Sequence, residues 1–135
     1  MKELSVKAIV ENISKVTAFI DEHLEALNCP MKAQMQIDVA IDEMFGNIVR
    51  YAYPKITGDA TVRFDFDKET RTVSVTFVDE GVPFNPLAKN DPDVTASAEE
   101  RAIGGLGIFL VKKTMDQMEY RYENGKNVLI IQKHI

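Results

Sequence analysis

The chain of 135 residues contains very few of the side chains from which disulfide scaffolds and metal centres are built. It has one cysteine, Cys29, and two histidines, His23 and His134, that lie far apart in the sequence. A single cysteine excludes an intramolecular disulfide and a cysteine-cluster metal site, and the histidines have no metal-ligand spacing. We therefore expect the histidines at the surface or at the core edge, and the protein in a reducing, cytoplasmic compartment.

Positive charge is also scarce, because the formal net charge is -5 and the lysines are scattered along the chain. A nucleic-acid interface needs a basic patch, so we expect no direct contact with nucleic acid. No apolar run is long enough to span a bilayer, and no basic segment followed by an apolar one opens the chain. With 45% hydrophobic and 27% charged residues, the composition is typical of one soluble domain over residues 1–135.

Apolar periodicity predicts the elements of the first half of the chain. A short strand over residues 3–8 precedes a helix over residues 9–27, and a second helix covers residues 38–53. A proline follows each helix and blocks its continuation. Two strands over residues 60–66 and 72–78 follow, joined by a polar hairpin.

The second half begins with a loop over residues 79–103, in which the period disappears and three prolines occur. An apolar helix over residues 108–116 follows, and strands over residues 118–122 and 127–133 turn at Asn124-Gly125. Because hairpins rather than successive crossover helices join the strands, we expect an α/β (α+β) two-layer sandwich. Its sheet would be mixed, mostly antiparallel, and covered on one face by helices.

The helix over residues 38–53 carries the first candidate site. Glu43 and Asn47 lie outside its apolar stripe, one turn apart, so that a carboxylate and an amide stand together at a half-buried border. A solvated helix face is the simpler interpretation of such a pair alone.

A second candidate follows a strand, where Val78 leads directly into Asp79, Glu80 and Gly81. A carboxylate at a strand end accepts a hydrogen bond from an amino group, and the glycine lets a flat ring approach the backbone. An ordinary turn would use the same residue types.

A third candidate is Gly104-Gly105-Leu106-Gly107 at a helix start, where free backbone N–H groups and the helix dipole can hold phosphate oxygens. The alternative is simple flexibility at the helix entry. The lysine and hydroxyl of a Walker loop are missing, and so is the GxGxxG fingerprint, so a nucleotide would be held differently.

In this order, the three motifs resemble the N, G1 and G2 boxes of the GHKL ATPase superfamily, and within it the anti-sigma-factor serine/threonine protein kinases. The N box resembles Ile41-Asp-Glu-Met-Phe-Gly-Asn47, the G1 box Asp79-x-Gly81-x-Pro-Phe-x-Pro86, and the G2 box Gly104-Gly-Leu-Gly-Ile-Phe-Leu-Val111. The resemblance covers essentially the whole chain. It implies a Bergerat-type ATP-binding fold, with residues 82–103 as the ATP lid.

The resemblance implies ATP and Mg²⁺ as cofactors and a role for each motif residue. Glu43 would be the general base, and Asn47 the Mg²⁺ ligand. Asp79 would bind the adenine amino group, and Gly81 would admit the ring. The glycine-rich segment, Gly104, Gly105, Leu106 and Gly107, would hold the phosphates. Arg101 is a candidate phosphate contact from the lid, and a solvated lid charge is the equal alternative.

Two positions depart from the family pattern. Pro83 stands where a second glycine is common in the wider superfamily, and this fits the anti-sigma-factor subgroup. Many relatives carry a threonine near Asn127 that helps to bind adenine, and an asparagine can supply a similar polar contact.

The resemblance also implies partners. They are a sigma factor that the kinase sequesters, a small anti-anti-sigma (STAS-type) protein that it phosphorylates on serine, and a second copy in a homodimer. An alternative is a non-catalytic module that uses ATP only to gate protein binding, and a metabolic enzyme is a third interpretation with little support. A base at Glu43 favours the kinase, since nucleotide binding alone does not require one.

Overall fold

The computed structural model describes residues 1–88 and 105–135. Five strands form one sheet in the order β1-β2-β3-β5-β4, and all four pairings are antiparallel. The strands are β1 (Lys2–Lys7), β2 (Asp59–Asp67), β3 (Thr72–Asp79), β4 (Gln117–Glu123) and β5 (Lys126–His134).

Three α-helices accompany the sheet in the described part of the chain: α1 (Ile13–Ala26), α2 (Met31–Asn47) and α3 (Gly105–Thr114). Short 3₁₀ turns occupy Val10–Asn12 and Pro86–Ala88, and a π-helical segment, Ile48–Ala52, continues α2. The π segment is of interest because such wider turns are rare and often occur at functional sites.

One apolar core joins the helices to one face of the sheet. Alternate residues of β2 and β3 are buried, as expected for a sheet with one covered face. Each helix contributes a buried stripe. The core includes Val16, Ile20, Leu24, Ile37, Ile41, Met44, Phe45, Val62, Phe64, Val73, Val75, Phe77, Ile108, Val111, Leu129 and Ile131.

The predicted element order, the two-layer architecture and the mostly antiparallel sheet are confirmed. The described strands contain no parallel pair, so the parallel component of a mixed sheet is not found among them. The second helix begins at Met31, ahead of the stretch predicted from periodicity. Residues 31–36 are methionine, lysine, alanine and glutamine, which are good helix formers, although they show less periodicity.

Two details agree with the sequence. The predicted Asn124-Gly125 turn has positive φ at both residues, 52° and 75°, as a two-residue hairpin requires. His23 lies at the core edge, where its ring stacks on Phe64 with centroids 5.1 Å apart. Within the described residues, no helix combines the length and apolarity needed to cross a membrane.

Candidate functional site

A pocket lies between the C-terminal end of α2, the π segment, the end of β3, the first half of β5 and the middle of β4. Its empty volume is about 370 Å³, counting the part open to solvent. Most of its wall is apolar, with a few polar groups, which is a common composition for a small-molecule site. The lining residues are Met44, Asn47, Ile48, Ala52, Phe77, Asp79, Val82, Phe84, Pro86, Tyr120, Asn127 and Leu129.

Asp79 is the buried carboxylate of this pocket, with 5% of its surface exposed. Its Oδ1 atom accepts hydrogen bonds from the Gly81 backbone N–H and from Asn127 Nδ2, both at 2.9 Å. Burial raises the pKa of Asp79, and these two hydrogen bonds counteract that rise. Within residues 1–88 and 105–135, Oδ2 has no hydrogen-bond partner, so it is the oxygen available to a ligand.

Asn127 connects three parts of the pocket. Its Nδ2 donates to Asp79 Oδ1 and to the Val82 carbonyl oxygen, each at 2.9 Å. Its Oδ1 accepts hydrogen bonds from the Tyr120 hydroxyl and from the Phe84 backbone N–H. Both donors and both lone pairs are therefore used within the protein. Asn127 holds Asp79 and the segment after β3 in place, and in this arrangement it has no hydrogen bond left for a base.

Gly81 is needed where the segment after β3 crosses the π segment. A Cβ atom at this position would overlap the Ala52 carbonyl group, and the neighbouring Val82 N–H donates to the same oxygen at 2.9 Å. This close backbone contact requires glycine whether or not a ring approaches from the pocket side. Beside it, the Tyr51 and Phe84 rings pack with centroids 5.1 Å apart.

Glu43 and Gly107 meet where α2 packs against the start of α3. A Cβ atom on Gly107 would overlap the carboxylate of Glu43, so a larger residue at this position would require that carboxylate to move. Gly105, Leu106 and Gly107 form the first turn of α3 rather than a segment before it. The first backbone N–H groups of a helix have no intrahelical acceptor and can bind anions. The structure thus places a half-buried carboxylate beside the N-terminal end of α3.

Asn47 is buried at the end of α2, next to an arginine that sequence reasoning missed. Arg50 Nη2 donates to Asn47 Oδ1 at 2.8 Å, and Asn47 Nδ2 is buried without an acceptor in the described part of the chain. Arg50 lies three residues after Asn47, on the π segment, and no motif in the sequence marked it. The guanidinium brings a positive charge to the amide oxygen that was assigned to Mg²⁺.

The donor set fits a metal only in combination with a ligand. No group of three or more His, Cys, Asp or Glu side chains among the described residues could hold a cation. One amide oxygen at Asn47 suits Mg²⁺, which is commonly bound by few protein oxygens together with phosphate oxygens and water. The residues present are therefore compatible with a cation that arrives with a nucleotide.

Comparison of the sequence with models of known protein families identifies the family. The family model of the histidine kinase-like ATPase domain matches residues 6–133. The chain belongs to this family. The family resemblance predicted from the three motifs is thereby confirmed.

Curated relatives of this histidine kinase-like ATPase domain include the serine-protein kinases RsbW of Bacillus mycoides and Bacillus cereus, each 31% identical over 96 residues. The match covers 68% of this chain and 59% of those proteins, so it spans less than two thirds of their length. The histidine kinase domain of the blue-light activated kinase from Erythrobacter litoralis EL346 has a similar fold. Its TM-score is 0.58 at 15% identity, over 78% of this chain and 46% of that one.

Two predicted site residues of this ATPase-like domain, Arg101 and Gly104, lie outside the described residues, as does most of the predicted lid. Their assignments remain predictions from the sequence. The other motif residues form two adjoining groups. Asp79, Gly81 and Asn127 lie at the sheet end of the site, and Glu43, Asn47 and the first turn of α3 lie along the helices.

Proposed function

We propose that this chain is an anti-sigma regulatory kinase that binds ATP with Mg²⁺ and phosphorylates a serine of an anti-anti-sigma (STAS-type) protein. The observation that carries the proposal is the position of the Glu43 carboxylate against Gly107, in the first turn of α3. A carboxylate beside a phosphate-binding helix end is the arrangement needed to deprotonate a hydroxyl that attacks a phosphate. The named activity of the RsbW relatives supports the same reaction.

Adenine would bind in the pocket, with Asp79 as the group that recognises it. Gly81 N–H and Asn127 Nδ2 both bind Oδ1 and thereby fix the orientation of the carboxylate. Oδ2 would accept the exocyclic amino group of adenine, which is a donor. The apolar wall, including Phe77 and Leu129, would pack against the faces of the ring.

The phosphates would lie at the start of α3, where the backbone N–H groups of Gly105, Leu106 and Gly107 are directed toward the N-terminal end of the helix. Asn47 Oδ1 would contribute to the Mg²⁺ shell, and the bound cation would neutralise charge on the phosphate oxygens. Arg50 would have to release this oxygen when the cation binds, because it donates to the same atom. Its guanidinium would then be free to contact a phosphate oxygen.

Glu43 would accept the proton of the partner's serine hydroxyl as the serine oxygen attacks the γ-phosphorus. The new serine oxygen–phosphorus bond forms while the bond from the γ-phosphorus to the bridging oxygen breaks, and ADP leaves with that oxygen. A general base of this kind contributes roughly 10²–10⁴-fold to the rate.

A second function is a non-catalytic module in which ATP gates protein binding. It would need Asp79, the helix end and the cation site, but it would not need a base at Glu43. Both functions are compatible with a sigma factor as a second partner, with a homodimer and with a cytoplasmic location, all of which are part of this proposal.

Transfer of label from [γ-³²P]ATP to a STAS-domain protein encoded beside the gene separates the two functions. We expect the wild type to label the partner on serine. We expect Glu43→Gln to bind ATP normally but to transfer phosphate roughly 10²–10⁴-fold more slowly. Glu22→Gln, at an exposed glutamate of α1, is the matched control and should behave as the wild type. Full transfer by Glu43→Gln would remove this residue from the mechanism.

A further inference from the structure

An apolar groove runs along the outer surface between α2 and α3, at the opposite end of α2 from the nucleotide pocket. Met31, Met35 and Val39 form its α2 wall, and Leu110 and Thr114 form its α3 wall. The four apolar side chains are exposed by 78%, 62%, 52% and 47%, in the order of the sequence. Its empty volume is about 930 Å³, counting the part open to solvent.

The groove is not a by-product of core packing. The buried stripe of α2 already contains Ala33, Ile37 and Ile41, which point into the core. Met31, Met35 and Val39 recur every four residues and form a second apolar stripe on the outside of the same helix. Contiguous exposed apolar surface is uncommon on soluble proteins and typically marks an interaction site.

In the described part of the chain, lysine is the charged residue type that lines the groove or lies in the last turn of α3. Lys32 lines the groove, and the last turn of α3 carries Lys112 and Lys113. Residues 31–37 and 105–114 contain no aspartate or glutamate, although the whole chain has a net charge of -5. The nearest carboxylates of α2 interact with α1 instead, because Asp38 pairs with Asp21 and Asp42 lies beside α1 residues in another pocket.

We propose that this groove binds an amphipathic helix of a partner protein, with apolar residues in the groove and aspartate or glutamate along its flanks. The α2 wall from Met31 to Val39 is about 12 Å long at 1.5 Å per residue, which matches two turns of a bound helix. Exposed methionines suit this role because their flexible, polarisable side chains adapt to different apolar surfaces.

The charge and shape of the groove favour an acidic partner helix over a second copy of this chain and over a membrane. In a symmetric dimer through the groove, Lys32 and its neighbours would face the same lysines of the second copy, which is unfavourable. An anionic membrane would also attract the lysines. However, the apolar residues line a concave surface between two helices, whereas an interfacial helix inserts a convex apolar face into the lipid.

A displayed library of helical peptides tests the groove directly, whatever the identity of the natural partner. Leucine is fixed at positions i, i+3, i+4 and i+7, and the other positions carry Glu, Lys or Gln at random. We expect the wild-type chain to enrich clones rich in glutamate. For a synthetic peptide from such a clone, Met35→Lys should raise the Kd by at least about tenfold, since a buried methionine contact is lost. Lys32→Glu combined with Lys113→Glu should also weaken binding and shift the selection toward lysine.

Val10→Lys and Ile56→Lys are matched controls, because both residues are exposed apolar side chains outside the groove. They should leave the Kd unchanged, and thermal unfolding should verify that every variant folds. The proposal fails if selection on the wild type enriches no peptide clones that selection on Met35→Lys does not also enrich. It also fails if lysine-rich peptides dominate the selection on the wild type. It also fails if Met35→Lys abolishes binding to phosphatidylserine vesicles, or if it converts a dimer to a monomer in light scattering. None of these readouts requires ATP, so the result is independent of the nucleotide site.

Discussion

Asn127 lies directly opposite Asp79 across the β3–β5 pair, and its Nδ2 donates to Asp79 Oδ1 at 2.9 Å. The contact makes the two carboxylate oxygens of Asp79 different from each other. Oδ1 is held by the protein, and Oδ2 is available to a ligand. In the proposed site, the asparagine would therefore act through Asp79, as a positioning residue, rather than as a direct contact to the base.

Asn127→Ala should lower both stability and nucleotide affinity. It would leave the Val82 carbonyl and the Tyr120 hydroxyl without their present partner, and it would remove one of the two hydrogen bonds to Asp79 Oδ1. Because unsatisfied buried polar groups are costly, we expect a loss of about 1–3 kcal/mol in the free energy of unfolding in urea. Tyr120→Phe removes only one of these hydrogen bonds and should cost about 1 kcal/mol. Wild-type stability and ADP affinity in Asn127→Ala would contradict this role.

Asn47→Ala should remove the dependence of ATP binding on Mg²⁺. The amide oxygen is the one atom at the end of α2 that we assign to the cation, and Arg50 Nη2 presently donates to it. Calorimetric titration of ATP with Mg²⁺ and with excess chelator measures the effect. The wild type should bind ATP more weakly in excess chelator than with Mg²⁺. The variant should bind ATP with the same Kd in both conditions. A variant that keeps the wild-type difference would show that the cation is held elsewhere.

Asp38→Asn should stabilise the protein at alkaline pH. Burial, a hydrogen bond with Asp21 and the charges of Asp21 and Glu25 raise the pKa of Asp38 to about 7. The folded state therefore retains a proton that the unfolded chain loses near pH ~4. This stabilisation is complete below pH ~4 and is lost as the pH rises through about 7.

Urea unfolding at pH 5 and pH 8 measures whether the stability falls with rising pH, as this pKa predicts. The wild type should lose more stability than Asp38→Asn between the two values, by about 1 kcal/mol after allowance for solvent screening. The comparison with the variant isolates Asp38 from other titrating groups. Equal losses in both proteins would mean that the pKa of Asp38 is not raised in the folded state.

The sequence was sufficient to predict the strands, because alternation at Val73, Val75 and Phe77 and the Asn124-Gly125 turn are local signals. It also predicted roles for Glu43 and Asp79, since each stands in a motif with a defined element type around it, and those roles stay predictions. The contacts of Arg50 and Tyr120 were not predictable in this way. They depend on a π-helical turn and on a diagonal approach between strands, and neither leaves a period in the sequence.

The contact between Gly107 and Glu43 also could not be predicted from the sequence. As a sequence signal, Gly107 predicted a phosphate-binding helix start; α3 does begin at Gly105, and phosphate binding there stays a prediction. The packing of Gly107 against the Glu43 carboxylate joins residues 64 positions apart and follows only from how α2 and α3 meet. Close approaches of this kind are set by tertiary packing, which local propensity does not encode.

Titration calorimetry of the wild type with ADP and with GDP tests most directly whether Asp79 recognises adenine, as we propose. Guanine places a carbonyl oxygen where adenine has its amino group, so two acceptors would face each other at Oδ2. We expect GDP to bind roughly ten- to a hundredfold more weakly, the equivalent of ~1–3 kcal/mol. In Asp79→Asn, Gly81 N–H and Asn127 Nδ2 should hold the amide oxygen at the Oδ1 position. The amide NH₂ would then face the base and could donate to the guanine oxygen. The difference between the dissociation constants of ADP and GDP should therefore become smaller. Equal dissociation constants for ADP and GDP on the wild type would contradict the assignment of this pocket to adenine.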